Sequence, residues 1–432
     1  MHAAMGESIP LGLEDRAILD LECRTIAGHT CKVVRLEPGG AEAFDVQALR
    51  ARIGERIALA PALMRKLGGR ERTPAWVPDD EFELSEHVVP AEVEQAVDLP
   101  ALRALVARLF EQRLDRSRPL WRIDVAPLRD GGTALIWRIH HALADGTASV
   151  RYARTLLWDD STEAKMSVAQ AHAAHAADEA RRRAHLAGFL RREYARGECR
   201  SPFDGTIGTR REVAFAAVPL AGLHEAAKAL DEATVNDAVL AIVAGAVGRW
   251  VAHRHGELGT IRLQVPVSLH HEGDQTANHD SFFSVGLPMN EPDPVVRLCL
   301  AHAASAERKL DHDAQYREHL LHELSGVPPL EHFLTRIERN PRRFALSVSN
   351  VPGPREPVNV LGRAVARLHS LAEIGEHHAL RVSAMSLAGT LCFGLCADPH
   401  LVDQLQLMAD GIEVEAQGLF DAAGVVSATP PR

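Results

Sequence analysis

Two α/β domains, each built around a mixed sheet, are what this sequence predicts, and three observations carry the expectation. The chain has 432 residues, well beyond the ~100–200 of an ordinary single domain. Runs with strand patterning and runs with apolar residues at helical spacing are interleaved in both halves, the pattern of mixed α/β architecture. Between the halves lies "EAKMSVAQAHAAHAADEARRRAHLAGFLRREYARGE", Glu163 to Glu198, alanine-rich, charged and free of proline, which reads as a helical crossover. The expected division is a first domain over 1–160, a linker over 161–205 and a second domain over 206–432.

In the first half, "CKVVRLE" (Cys31 to Glu37) reads as a strand, and "FDVQALRARIGERIALAPALMRKL" behind it keeps apolar residues at helical spacing. "PLWRIDVAPL" from Pro119 and "TALIWRIHH" from Thr133 are separated by "RDGG", so they predict a hairpin whose second strand ends on His140 and His141. In the second half, "SPFDGTIGTRREVAFAAVPL" is a loop feeding a strand. "ATVNDAVLAIVAGAVGRWVAHR" opens on capping residues and continues as a helix, with Val239, Leu240, Val243, Val247 and Trp250 on the helical period. Strand patterns return at "TIRLQVPVSL", "FFSVGLPM", "FALSVSNVPG" and "RVSAMSLAGTLCFGLCADP".

Composition excludes some classes. Lys plus Arg total 48 against 58 for Asp plus Glu, a net charge of -10, so nothing draws the chain generally toward nucleic acid, and no nucleic-acid partner is expected. Cys23, Cys31, Cys199, Cys299, Cys392 and Cys396 are scattered without paired metal-site spacing and read as reduced packing residues. The opening "MHAAMGESIPLGLEDRAILDLE" has no basic flank followed by an apolar run. The longest apolar stretch, "AVLAIVAGAVG" from Ala238, falls short of the ~20 residues that span a bilayer. A cytoplasmic location is expected, with any lipid contact made from the surface.

The stretch "HHALADG", His140 to Gly146, asks for a chemical explanation. Adjacent residues on a strand point to opposite faces, whereas two ligands for one ion use an i, i+2 or i, i+4 spacing, so a metal site is not expected. A strand that stops at a rim sends one histidine inward and the next toward a cleft, where a neutral imidazole takes a proton from a hydroxyl or amine. Asp145 either orients that imidazole or pairs with an arginine and holds the loop. Gly146 supplies the tight backbone that both versions need. A satisfied core histidine beside a turn is the plainer alternative, and the doublets His270-His271 and His377-His378 carry less weight still.

"HHALADG" matches the HHxxxDG signature of acyltransferases with the chloramphenicol-acetyltransferase-like fold. "LGLEDRAIL", "SRPLW", "TVNDAVLA", "VPVSL", "SNVPGP" and "LCFGLCADP" stand in order along the chain around it, and with them the chain resembles the bacterial wax ester synthase/diacylglycerol acyltransferase family from about Leu11 to Asp410. The resemblance implies a two-domain CoA-dependent acyltransferase fold with a tunnel at the domain interface. It implies an O-acyltransferase that moves a fatty acyl group from acyl-CoA to a long-chain alcohol or diacylglycerol, giving wax ester or triacylglycerol. Acyl-CoA is then a cosubstrate, and neither a metal nor a permanently bound cofactor is implied.

By the same resemblance, His141 is the general base that deprotonates the alcohol for direct attack on the thioester, without an acyl-enzyme. His140 supports the motif, Asp145 is a structural residue of the loop, and Gly146 leaves room for substrate. Pro119, Leu120 and Trp121 shape one side of the tunnel, with a packed strand start as the alternative. Asn236 and Asp237 match the family's Asn-Asp pair near the site. An amide at a helix N-terminus can donate toward an oxyanion, although both residue types are also favoured helix caps. Ser349, Asn350 and Gly353 belong to a tight loop beside the tunnel. One departure bears on acceptor selectivity: where the family reads Gly-Asn, this chain has Ala277 followed by the retained Asn278.

"RRRAHLAGFLRREYAR", Arg181 to Arg196, wound as a helix, can lay Leu186, Phe189, Leu190 and Tyr194 into a lipid boundary with arginines at anionic headgroups. Peripheral membrane or lipid-droplet contact is one expectation, and a crossover helix packed on the protein is the other. Two further functions stay open: a tailoring acyltransferase for a smaller natural-product alcohol or amine, and a catalytically weak lipid-binding relative.

Overall fold

The computed structural model describes residues 8–40, 43–70, 73–159, 201–256, 258–268, 280–310 and 344–426. The expected crossover helix with its arginine-rich end lies outside these residues, as do Cys199, His270, His271, Ala277 and Asn278.

The expected hairpin is present: β6 (Trp121–Pro127) pairs antiparallel with β7 (Thr133–His140), and Gly131 takes the left-handed backbone of the turn at φ +86°. Every residue of β7 is buried because the sheet is covered on both faces. Ala134 and Ile136 share a core with Leu102, Val106 and Phe110 of the helix Leu99–Phe110. On the other face, Leu135, Trp137 and Ile139 share one with Leu49 and Ile53 of the helix Val46–Arg56 and with Ala148 and Leu156 of the helix Gly146–Leu156. The full sheet runs β12 (Asn359–Val360), β13 (Arg363–Ala372), β2 (His29–Leu36), β7, β6, β5 (Val88–Pro90), antiparallel except where β5 lies beside β6.

The second six-stranded sheet runs β10 (Asp280–Pro288), β9 (Thr260–Ser268), β11 (Leu346–Val351), β14 (Leu380–Leu387), β15 (Thr390–Ala397), β8 (Glu212–Pro219), with β11 parallel to both neighbours. A small antiparallel sheet of β1 (Ile9–Pro10), β4 (Thr73–Pro78) and β3 (Arg65–Arg70) completes the strands among the described residues. Both large sheets are mixed, as expected.

Three elements differ from the sequence reading. The helical pattern beginning near Phe44 stops at Arg56, gives way to two 3-10 turns, Ile57–Leu59 and Pro61–Met64, and re-emerges as β3. Pro61 has no N–H to donate and pushes Ala60 out of the α region, to φ -131°. The helix Val235–His255 is apolar on every side rather than along one stripe, because it is the core helix of the second half. It is long and apolar enough to cross a membrane, yet 78% of its apolar window is buried inside the protein.

The third difference decides the architecture. β13, which the sequence did not single out, leaves the second half and joins the first sheet, pairing with β2 from Val365↔Leu36 to Ala372↔Thr30. The chain then returns as β14 to the second sheet. Where β15 passes β13, a Cβ on Gly394 would stand 2.1 Å from the Ser370 carbonyl oxygen, so the two sheets approach at a distance only glycine allows.

Candidate active site

The end of β7 is fixed by backbone bonds on both sides. The His140 N–H donates to the Leu120 carbonyl and the His141 N–H to the Gly28 carbonyl, each at 2.9 Å. Gly28 sits at φ +73°, and a Cβ there would meet His140 Nε2 at 2.6 Å. A side chain at that position would therefore be strained by its own backbone and by the ring it faces.

His140 points inward and is buried. Its Nδ1 accepts the Ala142 N–H at 3.1 Å, which leaves the ring proton on Nε2, facing Glu22 Oε2 at 3.4 Å. Arg116 holds Glu22 at 2.7 Å and Arg113 at 3.4 Å. Burial raises the Glu22 carboxyl, but His140 and Arg116 pull it below the usual carboxylate range. His140 thus packs behind the loop, and Glu22 is a partner the sequence did not reveal.

His141 is half-buried, with Nδ1 enclosed and without a hydrogen-bond partner among the described residues. Burial pushes its pKa down to about 4, the Arg381 guanidinium adds to the depression, and the Asp145 carboxylate opposes it. At physiological pH the ring is a neutral imidazole, the form that accepts a proton. Asp145 is fully buried and caps the helix Gly146–Leu156, accepting the Ala148 N–H at 2.7 Å. A buried cation also stands nearby: Lys32 Nζ donates to Ser370 Oγ at 2.8 Å, and burial lowers its pKa to about 8 against the pull of Asp145. Nothing in the pattern of β2 marked it, because its importance comes from register: Lys32 is paired with Trp137 on one side and Ser370 on the other.

The second half closes on this loop. A Cβ on Gly146 would stand 3.0 Å from Val351 Cγ2, so the loop glycine abuts β11. β11 and β14 are parallel neighbours, and their register places Ser347 beside Arg381 and Ser349 beside Ser383, whose hydroxyls bond at 3.1 Å. Met385, two residues on, lies in the core of the first sheet, so this face of β14 looks toward the first half. Asn350 alternates to the other face, opposite Ala384. The Gly353 N–H donates to Ser386 Oγ at 3.0 Å, with no space for a side chain beside the Ser386 carbonyl.

Other predicted residues have plainer surroundings. Pro119, Leu120 and Trp121 are buried; the Trp121 indole donates to the Leu63 carbonyl at 2.7 Å and stacks on His87 with centroids 4.6 Å apart. They form a packed strand start. Thr234, not Asn236, is the N-cap of the helix Val235–His255, and Asp237 completes its capping box. The Asp237 carboxylate also receives His302 Nδ1 at 2.9 Å and the Ser305 hydroxyl, so it ties two helices together. Asn236, half-buried in the first turn, stands outside the box. His378 stacks on Phe344 at 3.9 Å, and no group of three or more potential metal ligands occurs among the described residues.

Residues 11–195 match the family model described as the wax ester synthase/diacylglycerol acyltransferase catalytic domain, and residues 276–419 match the WS/DGAT C-terminal domain. The chain belongs to the wax ester synthase/diacylglycerol acyltransferase family. It is an O-acyltransferase of that type. A Mycobacterium tuberculosis relative named probable diacylglycerol O-acyltransferase tgs1 is 29% identical over 395 residues, 84% of this chain and 83% of that protein. A second, tgs2 of the same organism, is 27% identical over 453 residues, 95% of this chain and 98% of the relative. Among solved structures, the wax ester synthase/diacylglycerol acyltransferase from Marinobacter aquaeolei VT8 superposes with a TM-score of 0.75 at 22% identity, covering 96% of this chain and all of that one. The first condensation domain of the calcium-dependent antibiotic synthetase follows the same fold, with a TM-score of 0.62 at 16% identity and 98% of each chain covered.

Proposed function

We propose that this acyltransferase moves a fatty acyl group from acyl-CoA to a long-chain alcohol or diacylglycerol, with His141 as the general base. The state of His141 carries the reading: a neutral imidazole at a strand end, with Nδ1 enclosed, in the loop that the second half covers. Nε2 takes the proton of the acceptor hydroxyl as its oxygen attacks the thioester carbonyl. The C–S bond then breaks, and the imidazolium returns the proton to the CoA thiolate. Negative charge gathers on the carbonyl oxygen in between; the Asn236 amide is the proposed donor, with the Arg381 guanidinium adding positive potential on the His141 side. Ser349 and Gly353 are proposed to line the substrate path, and Asn278 to bear on acceptor selectivity. The names of the mycobacterial relatives support diacylglycerol as an acceptor class.

The proposed location is cytoplasmic, with contact to membrane or lipid inclusions through Arg181 to Arg196. Free CoA thiol, measured with a panel of acyl-CoAs against fatty alcohols, diacylglycerol and short alcohols, with chromatography of the esters, tests the substrates. Turnover confined to short alcohols or amines would move the assignment to a tailoring enzyme. No turnover with any acceptor would leave a lipid-binding relative.

A further inference from the structure

Behind the site stands a buried ion pair that the acyl-transfer step does not use. Glu373 follows β13 and Arg211 precedes β8; both are buried. Glu373 Oε1 accepts Arg211 Nε at 2.9 Å and the Ile374 N–H at 3.1 Å, while Oε2 accepts the Ala27 N–H at 3.1 Å. The Arg211 guanidinium also donates to the Thr25 carbonyl. The segment so held ends at Gly28, whose carbonyl receives the His141 N–H. The backbone carbonyl of Glu373, in turn, accepts Arg381 Nη1 at 3.0 Å.

Desolvating two charges offsets most of their attraction, so a buried ion pair is a weak source of stability. What this one supplies is direction, because its hydrogen bonds converge from segments far apart in the chain. We propose that Glu373 and Arg211 form a positioning pair for acyl transfer, holding the Thr25–Gly28 backbone beneath His141 and the Arg381 guanidinium beside it. This rests on the reading of His141 as the base. The charged and titratable groups around Glu373 are Arg211, Arg381 and the Cys396 thiol of β15, which burial keeps protonated; Asp398 bears on Arg211.

A structural control exists in the second half. Glu415, in the helix Leu405–Ala423, is buried and paired with Arg297 and Arg249, which belong to the helices Pro294–Leu310 and Val235–His255.

The test compares Glu373→Gln, Arg211→Lys, Glu415→Gln and His141→Ala in the full-length enzyme. Steady-state kinetics across pH and an NMR titration of labelled histidine, assigned with His141→Ala, are the readouts. Glu373→Gln is expected to lower kcat about 10–100-fold with KM for acyl-CoA little changed, since a small misplacement of a catalytic group has effects of that size. With the ion pair lost, the segment after β13 can shift and carry with it the Glu373 carbonyl that holds Arg381, so the acid limb of kcat/KM and the His141 titration should both move up toward the ordinary histidine range. Glu415→Gln should lower the melting temperature and leave the acid limb in place. Should Glu373→Gln fail to fold, Arg211→Lys, which keeps the charge and shortens the reach to Thr25, decides by the same measurements. Wild-type kcat and an unmoved acid limb in the folded variants would overturn the positioning role. If His141→Ala itself turned over normally, the reading of the base would fall instead; if it were dead while the pair variants behaved as wild type, only the pair's role would be lost.

Discussion

His141 is a neutral imidazole at pH 7, because burial and the Arg381 charge hold its pKa at about 4 rather than the ordinary 6.5. Replacing it with alanine should reduce transfer ~10²–10⁴-fold while the chain stays folded, measured as CoA release beside a thermal melt. Stability follows the same shift with a definite sign. Below pH 6.5 the unfolded histidine takes up a proton that the folded one refuses until about pH 4, so its contribution is full above pH 6.5 and lost across that window. His369, held down to about 3 by burial, acts in the same sense, as do His29 and His87. Each removes about 1.4 kcal/mol of stability per pH unit inside its window. Urea midpoints should therefore fall steeply below pH 6.5; a flat profile from pH 7 to 5 would contradict the buried neutral histidines. Asp145→Asn keeps a good helix cap but deletes the charge that bears on Lys32 and His141. Stability, by ~1–3 kcal/mol, and activity should drop together. Lost activity at an unchanged melting temperature would mean that Asp145 serves mainly to orient the ring.

Among the elements, the Val235–His255 helix separates two roles that the sequence presented as one Asn-Asp pair. Thr234 and Asp237 cap the helix and pin it to His302, whereas Asn236 is left outside that arrangement. Thr234→Ala should lower stability by ~1 kcal/mol with kcat intact. Asn236→Ala should do the reverse, lowering kcat at an unchanged melting temperature if its amide meets the oxyanion. The hairpin β6–β7 was legible because strand alternation and a glycine turn are local signals. The end of the helix at Arg56 was less so, since the apolar period continues past the proline that stops it. β13 was missed for a different reason: "RAVARLHSLA" has no clean alternation, and its strand character comes from the free edge of β2 that it completes.

At the scale of the whole molecule, the contact of β15 with β13 sets how closely the two sheets approach. Gly394→Ala would press a methyl group against the Ser370 carbonyl, on the residue whose hydroxyl also holds Lys32. Overpacking of this kind destabilises by ~1–3 kcal/mol. Calorimetry should show the lower melting temperature, and kcat should fall with it as the sheets separate; a variant normal in both would show that the contact is slack.

The sequence by itself determined the mixed α/β architecture, the strand that delivers His140 and His141, and the family, because alternation, turn residues and contiguous motifs are written locally. Only the tertiary structure decided that His141 is held neutral, since that depends on burial and on Arg381, 240 residues further along the chain. It also decided that Trp121 is packed, that Asp237 is a clamp, and that Lys32, Glu373 and Gly28 surround the motif. These residues lie in unremarkable local patterns. Their roles come from strand register and from the crossing of β13 between the sheets, and register is a property of paired segments that neither carries alone.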